Sequence, residues 1–210
     1  MDSEQDFINQ LKSKLNDLLP GAHAQNAMSS RARLSVEDYL RDNPQHKKSA
    51  VILPVFRKAE IFYTALIKRP VYDGVHSGQL ALPGGKYEEQ DESIEYTALR
   101  EFEEEVGIRL HASQLIGKLS PVYIPVSNYL VQPFVAYLDH SPQWLANPDE
   151  VHSILEFPVH TILNPEIKSR KRIEVGKNRF VDAPCYIIQG DILWGATAMM
   201  FAEFEHILRK

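Results

Sequence analysis

With 210 residues, of which 44% are apolar and 24% charged, the chain is long enough for one globular domain with a full core. A net charge of −5 argues against bulk binding of nucleic acid or of an anionic membrane surface, and no apolar run reaches the length of a membrane span. Cys185 is the single cysteine, so no internal disulfide forms and a reducing cytoplasm is the expected compartment. The acidic start MDSEQDF lacks a signal-peptide pattern, and the closing Leu208-Arg209-Lys210 is not the peroxisomal Ser-Lys-Leu signal.

In chain order, Phe7, Ile8, Leu11, Leu15 and Leu18 recur at helical spacing across residues 3–18, and Pro20-Gly21 stops that helix. Residues 22–33 read as a loop, and 35–40 as a short helix capped by Ser35. Residues 1–45 are expected to form an N-terminal helical appendage, with a domain over 46–210. The β-rich runs 49–55 and 60–67 predict strands, as do 114–119 and 131–138. Between these pairs lies a helix over 93–106. Residues 140–148 read as a loop, 151–157 as a short helix or turn, and 159–163 as a further apolar segment. A hairpin is predicted around Gly176-Lys177-Asn178, then a strand over 186–189, a turn at 190–191 and a core-facing helix over 194–208. Periodicity alone gives an α/β or α+β fold.

The stretch from Gly84 to Ile108, GGKYEEQDESIEYTALREFEEEVGI, concentrates the chemistry. Glu101, Glu104 and Glu105 stand at i, i+3 and i+4, so their carboxylates share a helix face away from the apolar stripe of Leu99, Phe102 and Val106. Like charges so placed repel, and a divalent cation reverses the sign; hard oxygen donors suit Mg²⁺ or Mn²⁺ rather than Zn²⁺. A solvated charged face is the ordinary reading of such a run taken alone.

The residues around it resemble the Nudix box, G-x5-E-x7-R-E-U-x-E-E-x-G-U with U apolar. The match holds at each fixed position from Glu92 through Arg100 and Glu101 to Ile108. It departs at the front, where Gly85 and Glu92 enclose six residues instead of five, so that the loop is one residue longer or Asp91 shares the role of Glu92. The resemblance implies an α/β/α Nudix sandwich with a mixed sheet and a catalytic loop-helix-loop. It implies Glu101, Glu104 and Glu105 as ligands of Mg²⁺ or Mn²⁺, with the Gly85 carbonyl adding a donor. It further implies that Arg100 orients a glutamate and that Glu92 supports the loop or helix start.

The segment before the box, residues 66–85, resembles the signature of the coenzyme A pyrophosphatase branch, L-L-T-x-R-S-x-x-L-R-x-H-x-G-Q-V-x-F-P-G-G. Arg69, His76, Gly78, Gln79, Pro83, Gly84 and Gly85 fall in register, whereas Ile67, Pro70, Asp73-Gly74 and Leu82 depart from it. Asn147-Pro148-Asp149-Glu150-Val151 and Trp194-Gly195-Ala196-Thr197-Ala198 resemble later motifs of the same branch. This implies substrate contacts from Lys68, Arg69, His76 and Gln79; a bland alternative has Lys68 and Arg69 solvating a strand end and His76 bracing its loop. Glu150 is either a first-turn acid or a further metal or water contact. Glu104, Glu105 and Glu150 are candidates for the carboxylate that accepts a proton from water.

The implied activity is metal-dependent hydrolysis of the coenzyme A pyrophosphate, giving 4′-phosphopantetheine and adenosine 3′,5′-bisphosphate. The alternatives are a pyrophosphatase of ADP-ribose or another nucleoside-diphosphate-linked compound, and a catalytically inactive Nudix sensor or regulator. The expected partner is a small nucleoside diphosphate derivative, with no nucleic acid and no membrane, in a monomer or a homodimer.

Overall fold

The computed structural model describes residues 4–31, 33–70, 78–176 and 179–210. Strand β1 (Lys47–Lys58) carries the main sheet. Its residues alternate between two buried faces: Ala50, Ile52 and Phe56 pack to one side, Leu53 and Val55 to the other. A strand apolar on both faces needs helices on both, and the chain supplies them.

On one edge β1 pairs in parallel with β7 (Tyr129–Leu138), from Lys47↔Tyr129 to Phe56↔Leu138. On the other edge its outer half forms an antiparallel hairpin with β2 (Ile61–Lys68), from Val55↔Thr64 to Lys58↔Ile61. The hairpin then splays. Strand β3 (Leu80–Ala81) joins β2, and β4 (Gly84–Lys86) joins β1, so residues 80–86 fill the fork. Pro54, which has no N–H to donate, lies in β1 between these two partners. Strands β5 (Leu115–Lys118) and β6 (Val122–Ile124) share the far edge of β7, and Pro133 lies at their junction. Strand β8 (Ser153–Pro158) closes the open edge of β2. Only β1 and β7 run parallel among these pairs, so the sheet is mixed.

Helix α4 (Ile94–Val106) covers one face, placing Ala98, Phe102 and Val106 against Ala50, Ile52, Phe56 and Phe134. Helices α1 (Glu4–Asn16) and α5 (Gly195–Arg209) cover the other, where Ile8, Leu11 and Leu15 share a core with Phe201 and Phe204. This is the expected α/β/α sandwich. A second sheet of three antiparallel strands, β9 (Lys168–Gly176), β10 (Arg179–Ile188) and β11 (Asp191–Trp194), leads into α5.

Three expectations are corrected. Residues 22–28 are not loop: Ala22–Gln25 forms a helical turn, α2, and Asn26–Met28 a 3-10 turn, with Ala24, Gln25 and Met28 buried. Residues 153–158 form a strand rather than a helix or turn, because the free edge of β2 supplies partners from Lys68↔Ser153 to Tyr63↔Pro158. Leu18 lies beyond the end of α1 and is 91% exposed. The predicted short helix is α3 (Val36–Asp42), and the Ser35 side chain accepts from the Asp38 N–H as expected of its cap.

Candidate active site

The site forms where β4 meets α4. Gly84 has φ 144°, and a Cβ there would fall 2.2 Å from the Ala50 carbonyl oxygen, so the strand can enter the fork only as glycine. At Gly85 a Cβ would fall 2.2 Å from Glu101 Oε2, so the missing side chain leaves a notch that the carboxylate occupies. Ser93 caps α4 by accepting from the Tyr96 N–H, and Gly107, at φ 70°, ends it.

Arg100 organises the acids. Its Nε and Nη2 donate to the two oxygens of Asp91 at 2.9 and 3.0 Å, a bidentate pair, and Nη2 also reaches the Lys86 carbonyl at 3.0 Å. Its Nη1 donates to Glu101 at 3.1 Å and to Glu104 at 3.0 Å. Asp91 is buried and also accepts from the Thr97 hydroxyl at 2.8 Å and the Glu88 N–H at 3.0 Å. The guanidinium above all holds the Asp91 carboxyl at about 2, helped by those donors against burial.

The sequence puts forward Glu92 for a supporting part, either with a loop one residue longer or with Asp91 sharing its role. Asp91 is the one buried against Arg100, whereas Glu92 is exposed to solvent. The extra loop residue is the signal: counted from Gly85, Asp91 stands where the five-residue spacing of the motif would put its acid.

The three box glutamates grade from buried to open. Glu105 is 2% exposed and accepts from the Gly84 N–H at 2.7 Å. Burial pushes its pKa up to about 7, with Glu101 and Glu150 adding to the rise while the Gly84 N–H and Arg69 oppose it. Burial also raises Glu101, against Arg100. Glu104 is half exposed.

Glu150 is exposed, yet near enough to raise both Glu101 and Glu105. Its loop is tied to α4 by the Leu145 N–H on the Val106 carbonyl and the Asn147 N–H on the Glu105 carbonyl, each at 3.0 Å. Arg69 stands close enough to Glu105 to lower it, and the Arg69 N–H donates to the Gln79 carbonyl at 3.0 Å. Lys68 points elsewhere: its ammonium pairs with Asp191 of β11 at 2.7 Å. His76 lies outside the described residues.

Among the described residues no three acidic, His or Cys side chains converge on one point as they stand. Arg100 draws Glu104 aside and the Gly84 N–H draws Glu105. The donors nonetheless fit a hard divalent cation. They are all oxygens, the Gly85 notch brings a carboxylate against the backbone, and neighbouring acids add to the rise of Glu101 (Glu104 and Glu150) and of Glu105 (Glu101 and Glu150) in a way that a cation relieves. Glu104 is the one most exposed to turn toward such a cation, since partly exposed pairs like its contact with Arg100 cost about 1 kcal/mol or less to break.

The NUDIX domain family profile matches residues 45–176. The Nudix hydrolase NudL of Escherichia coli O1:K1 is 35% identical over 135 residues, covering 64% of this chain and 69% of that protein. The MutT/nudix family protein of Enterococcus faecalis aligns with a TM-score of 0.52 at 15% identity, over 100% of this chain and 76% of that one. The MutT protein of Methanosarcina mazei Go1 gives 0.51 at 19% identity, over 78% and 95% of the two chains. At those identities the solved structures speak for the fold, while the profile and NudL speak for descent. The chain belongs to the Nudix hydrolase family.

Proposed function

We propose that this Nudix hydrolase cleaves the pyrophosphate bond of coenzyme A or its acyl derivatives in the cytoplasm, giving 4′-phosphopantetheine and adenosine 3′,5′-bisphosphate. The observation that carries the hydrolytic reading is the Arg100 fork, clamped by buried Asp91 and holding Glu101 and Glu104 beside the Gly85 notch. Glu101, Glu104, Glu105 and the Gly85 carbonyl would hold Mg²⁺ or Mn²⁺. A cation so held neutralises phosphate oxygens and acidifies a water.

The chain's own residues do the rest. Arg69, close to Glu105, adds positive charge where the diphosphate would lie. A carboxylate from Glu104, Glu105 or Glu150 takes the proton as water oxygen bonds to one phosphorus and the bridging P–O bond breaks. Each product then leaves with one phosphate group of the former diphosphate. Support for coenzyme A comes from the Arg69, His76 and Gln79 segment and from the motifs at 147–151 and 194–198. Because Lys68 is paired with Asp191, we assign it a bracing part and leave Arg69 and Gln79 as the described substrate contacts.

The test is a panel of coenzyme A, an acyl derivative, ADP-ribose and NADH under one metal condition, with products separated by chromatography. Coenzyme A or its acyl form should turn over fastest, yielding the two named products. Rapid turnover of ADP-ribose with coenzyme A untouched would overturn the substrate assignment.

A further inference from the structure

Strand alternation sends the two cations at the end of β2 to opposite sides of the sheet. Ala65 and Ile67 face the core under α4, and Leu66 faces the other one. Arg69 continues the first set and lies close to Glu105. Lys68 continues the second, toward α5 and the three-stranded sheet. There its ammonium meets Asp191 Oδ1 at 2.7 Å, each side chain about one-third exposed. Asp191 opens β11, directly after the turn at Gln189-Gly190. That turn closes without the carboxylate: both turn residues have positive φ, 51° and 89°, and Ile188 pairs with Asp191 through the backbone. Its seat on the main sheet is separate too, with Gln189 Nε2 donating to the Glu156 carbonyl of β8 at 2.8 Å. Neither the turn nor its seat explains an acid at 191.

We propose that Asp191 is a positioning residue for the hydrolysis: by holding Lys68 it fixes the strand end from which Arg69 reaches the diphosphate. The inference rests on the reading that Arg69 meets that diphosphate. Arg69 is the first residue past β2, so its direction follows from how residue 68 is held. Backbone ties hold the neighbourhood from the main sheet and its loops. The Lys68 carbonyl accepts from the His152 N–H at 2.8 Å, the Arg69 N–H donates to the Gln79 carbonyl at 3.0 Å, and the Gly78 N–H donates to the Pro70 carbonyl at 3.1 Å. Asp191 adds a tie from the second sheet. Leu193 of β11 shares a core with Leu80 of β3, which follows Gln79, so the second sheet backs both segments that bracket Arg69. A merely structural role predicts almost nothing on removing the pair, since partly exposed ion pairs add little to stability. A positioning role predicts a loss in binding, because contacts misplaced by about 1 Å are costly.

Steady-state kinetics of the full chain, on whichever diphosphate of the panel it hydrolyses fastest, test this beside thermal melts of each variant. Arg69→Gln should raise KM by about tenfold or more. Asp191→Ala and, from the other side of the pair, Lys68→Met should each raise KM about three- to tenfold with kcat within about twofold. Both should melt within about 2 °C of the parent. Asp191→Glu, which keeps the pair, should stay near the parent KM. In the Arg69→Gln background, Asp191→Ala should add less than about twofold, because a residue that acts through Arg69 then has nothing left to position. Three results would overturn the proposal while leaving Arg69 a substrate contact: an unchanged KM in both Asp191→Ala and Lys68→Met, a KM that falls as a released Lys68 takes up phosphate, or an Asp191→Ala effect that multiplies in full with that of Arg69→Gln. A silent Arg69→Gln would overturn the proposal and the reading of Arg69 together.

Discussion

Asp91 and Glu92 are adjacent acids with opposite circumstances. The Asp91 side chain is fully buried and meets Arg100 twice; Glu92 is exposed. Asp91→Asn removes the charge that faces a guanidinium only 15% exposed, and breaking a buried pair on one side costs about 3 kcal/mol. The freed Arg100 would no longer hold Glu101 and Glu104, so kcat should fall by about 10- to 100-fold, as when the support of metal ligands is lost. Glu92→Gln should leave stability within about 0.5 kcal/mol and turnover unchanged. Denaturant unfolding and steady-state kinetics on the two variants check this. A costly Glu92→Gln with a silent Asp91→Asn would return the supporting role to Glu92. The acid range gives a second readout: with its folded pKa near 2 and an ordinary value of 3.8, Asp91 stabilises the fold above about pH 4 and loses that contribution as pH falls toward 2.

At the scale of elements, the clasp between β4 and α4 sets a pH dependence of the opposite sign. Glu105 is folded with a pKa near 7 against an ordinary 4.5, so the folded state binds the proton more tightly than the unfolded one. Its contribution is therefore full below about pH 4.5 and declines as pH rises through 7, by about 3 kcal/mol for a shift of this size. Glu105→Gln keeps an acceptor for the Gly84 N–H without the buried charge. In metal-free buffer this variant should melt higher than the parent at pH 8 and equally at pH 4.5, as followed by calorimetry. A parent whose stability stays flat between those pH values would refute the buried, uncompensated acid.

This clasp also marks how far the sequence could be read. The spacing of Glu101, Glu104 and Glu105 and the flanking glycines were legible because both are local. That Glu105 would be buried was not, since it depends on Gly84 entering the fork between β1 and β2 and offering its N–H to a carboxylate 21 residues further on. The short strands β3, β4 and β6 went unread for the same reason. At two or three residues each, they have no periodicity of their own and exist through their partners.

Over the whole molecule, the family match begins at residue 45, yet the core does not. Helix α1 puts Ile8, Leu11 and Leu15 into the same cluster as Leu53, Val135 and Phe204, and Phe7 stacks on Phe62 with ring centroids 4.0 Å apart. A Cβ on Gly117 would meet that of Leu15 at 2.6 Å, a measure of how closely helix and sheet approach. Behind it, fully buried Glu203 of α5 accepts from the Gly21 N–H at 3.1 Å and from Gln25 Nε2 at 2.8 Å. The Ser120 N–H, at 3.1 Å, is its contact from outside the first 45 residues. A fragment of residues 46–210 would lose the three buried aliphatic side chains of α1, worth about 1.5–3 kcal/mol each, and leave a buried carboxylate short of donors. Set against a total stability of about 5–15 kcal/mol, that loss is large enough to abolish cooperative folding. Circular dichroism melting of the fragment should show no sharp transition. Glu203→Gln in the full chain, which keeps acceptor and shape, should still melt cooperatively. A fragment that melts within a few degrees of the full chain would instead make residues 1–45 a separable appendage. The sheet would then owe its stability to α4 and α5 alone.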